Sequence, residues 1–320
     1  MQVLTRCLLA AAFAGAFAPA AMAQNWPLKP IRLIVNLPPG TAADLTARVL
    51  AARLGEPLGQ PVVVENRAGA AGYIGAEAVV RSAPDGYTLL HAPGSTIAIN
   101  PHLHKSSFDV AKDLEPIAPT IRTTLILVVR ADSPIRNVAD LIALARADPG
   151  KLNFGSAGAG TGMHIATEMM LRAGKVQATH VPFKGTADSV AALLAGHLDF
   201  TFDGGVAIPH IKAGKMRILA VARPTRTPYF PDTPTMAEAG ADANADAVYG
   251  IYSAAGTPRY IVGRLNREIV RGMQSKEAAA VLTSLAAELV TGSPEEFAEI
   301  QRRDRERYGV ILREANIRAD

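Results

Sequence analysis

The stretch NFGSAGAGTGMH, residues 153–164, decides how the chain is read. It lies between an apparent strand, residues 151–154, and a helical-looking run, residues 165–173, and it holds four glycines, one serine and one threonine. The first N–H groups of a helix have no intrahelical acceptor, and the helix dipole adds partial positive charge to them. Glycines let such a backbone approach a ligand closely and adopt positive φ. A Gly-rich strand-to-helix turn is therefore suited to anion binding, although a plain flexible connection has the same composition. Strand, Gly-rich turn and helix in that order also mark the chain as α/β.

Sharper motifs are excluded at the same place. A dinucleotide fingerprint counted from Gly158 and Gly160 needs a third glycine where Met163 stands. A nucleophile elbow around Ser156 needs glycine where Phe154 stands. The pairs Gly150-Lys151, Gly174-Lys175 and Gly214-Lys215 are followed by Leu152, Val176 and Met216, so none is a P-loop. His164 and Glu168 are four apart, but H-E-x-x-H is absent, and no metal site is expected.

The 320 residues suffice for two domains, and a hydrophobic fraction of 49% suits a globular core. Residues 1–23 combine Arg6, an apolar run over 7–18, Pro19 and Ala21-Met22-Ala23, which reads as a cleavable secretory signal ending before Gln24. The run is too short for the roughly 20 residues of a spanning helix. Cys7, the one cysteine, opens the apolar run and so is poorly placed for lipidation. Disulfides, thiolate catalysis and cysteine metal clusters are thereby excluded from the mature chain. The net charge is a mild +4, and the densest basic run, RRDRER at 302–307, interleaves Asp304 and Glu306. It reads as a solvated helix face, and no nucleic-acid partner is expected.

Short β-branched runs alternate with helical patterns along the mature chain. Strands are expected at 31–36, 62–65, 87–91, 125–130, 151–154, 178–183, 198–202 and 217–222, and helices at 41–54, 72–82, 137–147, 161–173 and 186–195. Gly55 is expected to end the first helix, and residues 258–317 read as almost entirely helical. The alternation predicts α/β with largely parallel sheets. LIVNLPPGTAADLTARVL repeats the strand–loop–helix device of the opening stretch more than a hundred residues earlier. Two such loops facing each other across two lobes make a clamp for an anion, because ligands in open α/β sheets bind beyond the carboxyl ends of strands. Thr41 and Asp44 also fit a capping box, which gives Asp44 a structural alternative to ligand contact.

The motifs WPLKPIRLIV (26–35), GQPVVVENRAGAAGYIGAEAV (59–79), APDGYTLL (83–90), PGKLNFGSAGAGTGMH (149–164) and HVPFKGTADSVAALLAGHLDFTFD (180–203) resemble one family. So do PHIKAGKMRILAVA (209–222), FPDTPTMAEAG (230–240) and AGTPRYIVGRLNREI (255–269), so that the likeness is nearly continuous from 26 to 315. It is the family of solute-binding receptors of tripartite tricarboxylate transporters, the Bordetella-uptake-gene type. The resemblance implies a two-lobed periplasmic-binding fold, type II-like, with two chain crossovers: residues 24–124 plus 248–320 in one lobe and 125–247 in the other. It implies a periplasmic, monomeric receptor without cofactor that holds a small organic carboxylate and delivers it to integral-membrane subunits. Carried over by position, one lobe offers Gly40, Thr41, Asp44, Ser95 and Thr96, and the other Ser156, Thr161, His164, Lys184 and Asp203. The chain departs from the family where Thr41 replaces the second of two adjacent glycines, and where Ala43 precedes Asp44.

Each of these residues has a structural reading as well. Ser156 and Thr161 can satisfy loop amides and cap the helix, His164 can be a packing histidine, Lys184 can be solvated, and Asp203 can accept from its own chain. A ligand sensor signalling to a membrane partner is the alternative role. A hydrolase pairing Ser156 with His164 is the rival from another class, and it requires a nucleophile–base hydrogen bond. If the clamp reading holds, closure pivots on the crossings near 124–125 and 247–249.

Overall fold

The computed structural model describes residues 26–245 and 247–314, so the expected signal segment, residues 1–23, lies outside the described residues. Strand β1, Ile31–Val35, exposes only Arg32, as expected of a strand covered on both faces. It pairs in parallel with β2, Val62–Asn66, and with β3, Thr88–Pro93. The sheet is completed by β4, Leu114–Thr123, by β10, Ala247–Ala254, and by the two-residue β11, Glu288–Leu289, in the order β11-β4-β10-β3-β1-β2. A second sheet, in the order β7-β6-β8-β5-β9, is built from β5 (Ile126–Arg130), β6 (Asn153–Ser156), β7 (Thr179–Pro182), β8 (Phe200–Asp203) and β9 (Met216–Val221). The chain thus passes to the second sheet between Thr123 and Ile126 and returns between Val221 and Ala247.

The sheets are mixed, which corrects the expectation of largely parallel ones. β10 runs antiparallel to both β3 and β4, and β5 runs antiparallel to both β8 and β9. The cause is the two crossovers: each sheet takes in a strand that arrives from the other lobe rather than through a βαβ unit. β4 is an element the sequence reading lacks. Its Pro116 and Pro119 face Tyr252 and Gly250 of β10, and the register slips beside each of those pairs. A proline removes a ladder donor, so the strand survives only with irregularities at those points. Gly250 is required there, because a Cβ would collide with the Phe297 ring and come within 2.7 Å of the Ala118 carbonyl.

Helix Ala42–Leu58 buries Ala43, Ala47, Leu50, Leu54 and Leu58 on one stripe. The stripe shares its core with Ile261, Val262, Leu265, Ile269 and Met273 of helix Arg259–Met273. It does not stop at Gly55 as expected. A glycine inside a helix costs only about 1 kcal/mol against alanine, and the helix runs on until Gly59 takes φ +71 and donates to the Glu56 carbonyl. In the second lobe the alternation along β5 sorts the core. Leu127 and Val129 pack with Met163, Ala166 and Met170 of helix Gly162–Gly174. Ile126 and Val128 pack with Val190 and Leu193 of helix Thr186–Leu194. The C-terminal part is helical over Arg259–Met273, Lys276–Ser284 and Pro294–Glu314, with β11 between the last two.

The lobes touch at several places. Ala98, Ile99, Tyr308 and Leu312 of the first lobe share a small core with Ile165 of the second. On another side the Arg223 guanidinium, only 8% exposed, forms a two-point ion pair with Glu288 and also donates to Thr124 Oγ1 at 3.2 Å. The Tyr229 hydroxyl donates to the Ala287 carbonyl at 2.9 Å.

Candidate functional site

Between the lobes lies a cavity of about 520 Å³, with Asn36, Pro38, Gly69–Gly72, Gly158, Thr161, Phe183 and Lys184 on its walls. Each wall grows from the carboxyl end of a strand. Asn36 and Pro38 follow β1, and the 68–72 turn follows its parallel partner β2. Gly158 and Thr161 follow β6, and Phe183 and Lys184 follow its parallel partner β7. Two parallel pairs therefore point their carboxyl ends at one space, the arrangement in which open α/β sheets bind ligands.

The 68–72 turn is the unusual part of the first-lobe wall. Gly69, Ala70, Ala71 and Gly72 have φ of +126°, +47°, +51° and +93° in succession. A left-handed conformation costs a non-glycine residue about 1–2 kcal/mol, so two adjacent alanines there are held by their surroundings. Asn100 Nδ2 donates to the Ala71 carbonyl at 2.7 Å, Asn36 Nδ2 donates to the Gly72 carbonyl at 3.2 Å, and Gly72 N–H donates to the Gly69 carbonyl at 2.9 Å. Among the described residues no acceptor is bonded to the N–H groups of Gly69, Ala70 and Ala71. The turn is thus pinned through its carbonyls while its donors stay free. Gly72 admits no side chain, since a Cβ would collide with Asn36 Nδ2.

The opposite wall is organised by hydroxyls facing inward. Ser156 is fully buried. Its Oγ accepts from Gly158 N–H at 3.1 Å, reaches the Gly158 carbonyl at 3.0 Å and lies 2.7 Å from His180 Nε2. Thr161 is the N-cap of helix Gly162–Gly174, but its hydroxyl donates back to the Gly158 carbonyl at 2.8 Å and makes no cap bond. The N–H groups of Gly162 and Met163, in the first turn of that helix, therefore receive no capping oxygen from it. His164 is buried, and its Nδ1 accepts from Gly160 N–H at 3.2 Å. Its ring stacks on His180 with centroids 4.2 Å apart, and His180 stacks on Phe154 at 4.8 Å. The base beside Ser156 is therefore His180 rather than His164, and both hydroxyl and ring support the loop from beneath.

The other residues expected from the sequence divide in two. Thr161 and Lys184 line the cavity. Lys184 is exposed, forms no ion pair among the described residues and is the one charged side chain on the walls. Gly40, Thr41, Asp44, Ser95, Thr96, Ser156, His164 and Asp203 do not line it. Gly40 N–H donates to Asp44 Oδ2 at 2.9 Å, and the Thr41 hydroxyl donates to the Pro38 carbonyl at 2.8 Å, so both close the loop after β1. Burial works against the Asp44 charge, but hydrogen bonds from Arg48, Gly40 and Asn66 outweigh it and hold the carboxyl below its ordinary range. Thr96 stands behind the wall and accepts from Asn36 Nδ2 at 2.9 Å, while the half-buried Ser95 accepts from Ile99 through its carbonyl. Asp203 is fully buried, and burial pushes its carboxyl up although backbone N–H groups of 204–207 oppose the rise. It ties its own turn, with Oδ2 2.6 Å from Gly205 N and 2.9 Å from Ala207 N.

Asn36, the 69–71 amides and Phe183 were not among the residues expected. The signal for the turn was in the sequence: AGAAGY after a strand has the same small-residue character as SAGAGTG.

The chain is similar to known proteins over most of its length. The description "Tripartite tricarboxylate transporter family receptor" matches residues 46–317. BugT of Bordetella pertussis is 36% identical over 308 residues, covering 95% of this chain and 94% of its own. The solved structure of the periplasmic binding protein BugD has a TM-score of 0.85 at 28% identity, covering 92% of this chain and all of its own. A Rhodopseudomonas palustris protein solved with adipate has a TM-score of 0.87 at 31% identity, with the same coverage. The fold is that of the periplasmic binding proteins.

Proposed function

The chain belongs to the tripartite tricarboxylate transporter receptor family, and from that premise we propose that it captures a small organic carboxylate between its lobes and delivers it to membrane transport subunits without transforming it. The observation that carries this reading is the pinned turn at 69–71, whose amides have no acceptor among the described residues and which lines the same cavity as Lys184 of the other lobe. Backbone amides desolvated between two lobes bind a carboxylate by charge-assisted hydrogen bonds. Lys184 adds attraction from its exposed position, where salt weakens it. The first-lobe contact is thereby assigned to 69–71 rather than to Gly40 and Thr41, and Thr161 and Lys184 are retained on the other side. Ser156, His164, Asp44, Thr96 and Asp203 act one layer back, holding loops in shape. Export of the chain to the periplasm, with residues 1–23 removed, completes the reading. So does closure on the crossings at 123–126 and 221–247, in which ligand favours the closed form by contacts made only there.

Mass spectrometry of ligand released by denaturing the purified protein, followed by calorimetry with that acid, tests the reading. Binding without turnover is expected, and Lys184→Gln should weaken it about tenfold at low salt and less at high salt. An uncharged released ligand, or steady product formation, overturns it.

A further inference from the structure

Gly185 is buried, although Lys184 before it and Ala187 after it are exposed. The nearest atoms off its own loop belong to the other lobe. A Cβ at Gly185 would meet Pro38 of the loop after β1, with Cγ at 3.1 Å, Cβ at 3.8 Å and Cδ at 4.0 Å as its three nearest neighbours. Pro38 lines the cavity, and so does Lys184 beside Gly185, so the contact borders the cavity. The second lobe's own backbone does not call for glycine here. The φ of −169° and ψ of 166° at Gly185 are extended values open to any residue. Gly185 is the N-cap of helix Thr186–Leu194, a position that threonine fills about as well and serine or asparagine better.

Gly160 makes a comparable approach to the first lobe, where a Cβ would lie 3.0 Å from His104 Nε2 and 3.1 Å from Asn100 Oδ1. Its φ of +77° calls for glycine in any case. Gly185 is therefore the position at which close approach and backbone strain separate. Resting on the receptor reading above, we infer that Gly185 seats on Pro38 when the lobes close, and that its missing side chain sets how far they close and how tightly the acid is held. A side chain at 185 must push the lobes apart to fit. The open form bears none of that cost, so the whole of it falls on closure, and an acid held only in the closed form is held more weakly.

Two measurements test this. Pro38→Cys combined with Gly185→Cys sets two Cβ atoms 3.8 Å apart, a separation that a disulfide bridges without strain. Cys7, the one native cysteine, lies in the segment read as a signal, so the introduced pair reports alone in the exported protein. Mild oxidation should consume both thiols within the monomer, read by thiol titration and by the mass of the unreduced chain. In the second measurement, calorimetry with succinate, malate, adipate, citrate and benzoate supplies an acid that the wild type binds. Gly185→Thr should weaken that acid about tenfold, at the low end of what overpacking costs. The urea midpoint of the unliganded protein should stay at the wild-type value, because the helix keeps an equivalent cap. Adding Pro38→Ala, which removes Cγ and Cδ, should bring the affinity back to within about threefold of the wild type. A defect confined to the helix end would not be cured from the other lobe. Thiols that stay free, an unchanged affinity in Gly185→Thr, or a loss that Pro38→Ala leaves in place each overturns the inference while leaving the receptor reading intact. A wild type that binds none of the acids overturns the receptor reading, and the cross-link then decides the contact by itself.

Discussion

The ion pair between Arg223 and Glu288 joins the lobes and yields a worked prediction. Arg223 follows β9 and is 8% exposed, whereas the Glu288 side chain, in β11, is 32% exposed. Breaking a buried pair by removing one partner typically costs about 3–5 kcal/mol, because an uncompensated charge stays buried. Glu288→Gln leaves the guanidinium charge uncompensated in that way, with only neutral acceptors, the glutamine carbonyl and Thr124 Oγ1 at 3.2 Å, beside it. Water reaches the Glu288 side, which lowers the expectation to about 2–3 kcal/mol. The double variant Arg223→Met with Glu288→Gln removes both charges and should recover most of the loss, because a well-packed neutral pair avoids the desolvation that the ions incur. Urea unfolding of the wild type, both single variants and the double variant gives the coupling as a double-mutant cycle. A Glu288→Gln loss below about 0.5 kcal/mol would place the pair among surface ion pairs of little net worth and refute the reasoning. A double variant less stable than Glu288→Gln would refute it too.

Other outcomes follow from the same structure. Gly250→Ala should destabilise the first lobe by at least about 1–3 kcal/mol through overpacking against Phe297, and adding Phe297→Leu should restore part of the loss; indifference to Gly250→Ala in thermal melts would contradict the packing. Ala70→Gly should stabilise by about 0.5–1 kcal/mol, because glycine takes φ +47° without strain. A loss of that size on chemical denaturation would show the turn to be unstrained. His91 is fully buried, and burial pushes its imidazole down to about 4 although the Ala43 carbonyl opposes this. The unfolded chain, with an ordinary value of about 6.5, therefore binds the proton first. Stability present above that value should fall by about 2–4 kcal/mol as pH drops from roughly 6.5 to 4, and His91→Gln should flatten the profile measured by urea midpoints.

Much of this architecture is legible in the sequence where local chemistry and tertiary role agree. β1 reads correctly because Ile31, Leu33, Ile34 and Val35 are buried as their composition requires. β4 does not, because Pro116 and Pro119 argue against a strand and only β10, more than a hundred residues on, supplies the partner that tolerates them. Gly55 looks like a helix terminator because composition cannot reveal which of two nearby glycines will take positive φ. At the site, the loop after β6 is legible as part of a wall, but the direction of its hydroxyls is not: Ser156 turns inward because Gly158 N–H lies within reach. The 69–71 turn shows its small residues in the sequence but not its backbone, because alanines carry no local sign of left-handed conformation; Asn100 and Asn36 hold that conformation from elsewhere in the chain.

The placement of β10 governs the order in which the molecule can be assembled. Everything in the second sheet is contiguous, from Ile126 to Val221, so that half can close on itself as soon as its own residues are available. The first sheet cannot, since the strand between β3 and β4 belongs to the last quarter of the sequence. Until Ala247–Ala254 arrives, β3 and β4 each present an open edge, and such edges pair readily with other chains. A chain cut short near residue 245 should therefore leave a foldable second half attached to an aggregation-prone first one. In the full-length chain the slow step of folding is expected to be insertion of β10, because closing a loop of that length precedes any reward from its contacts.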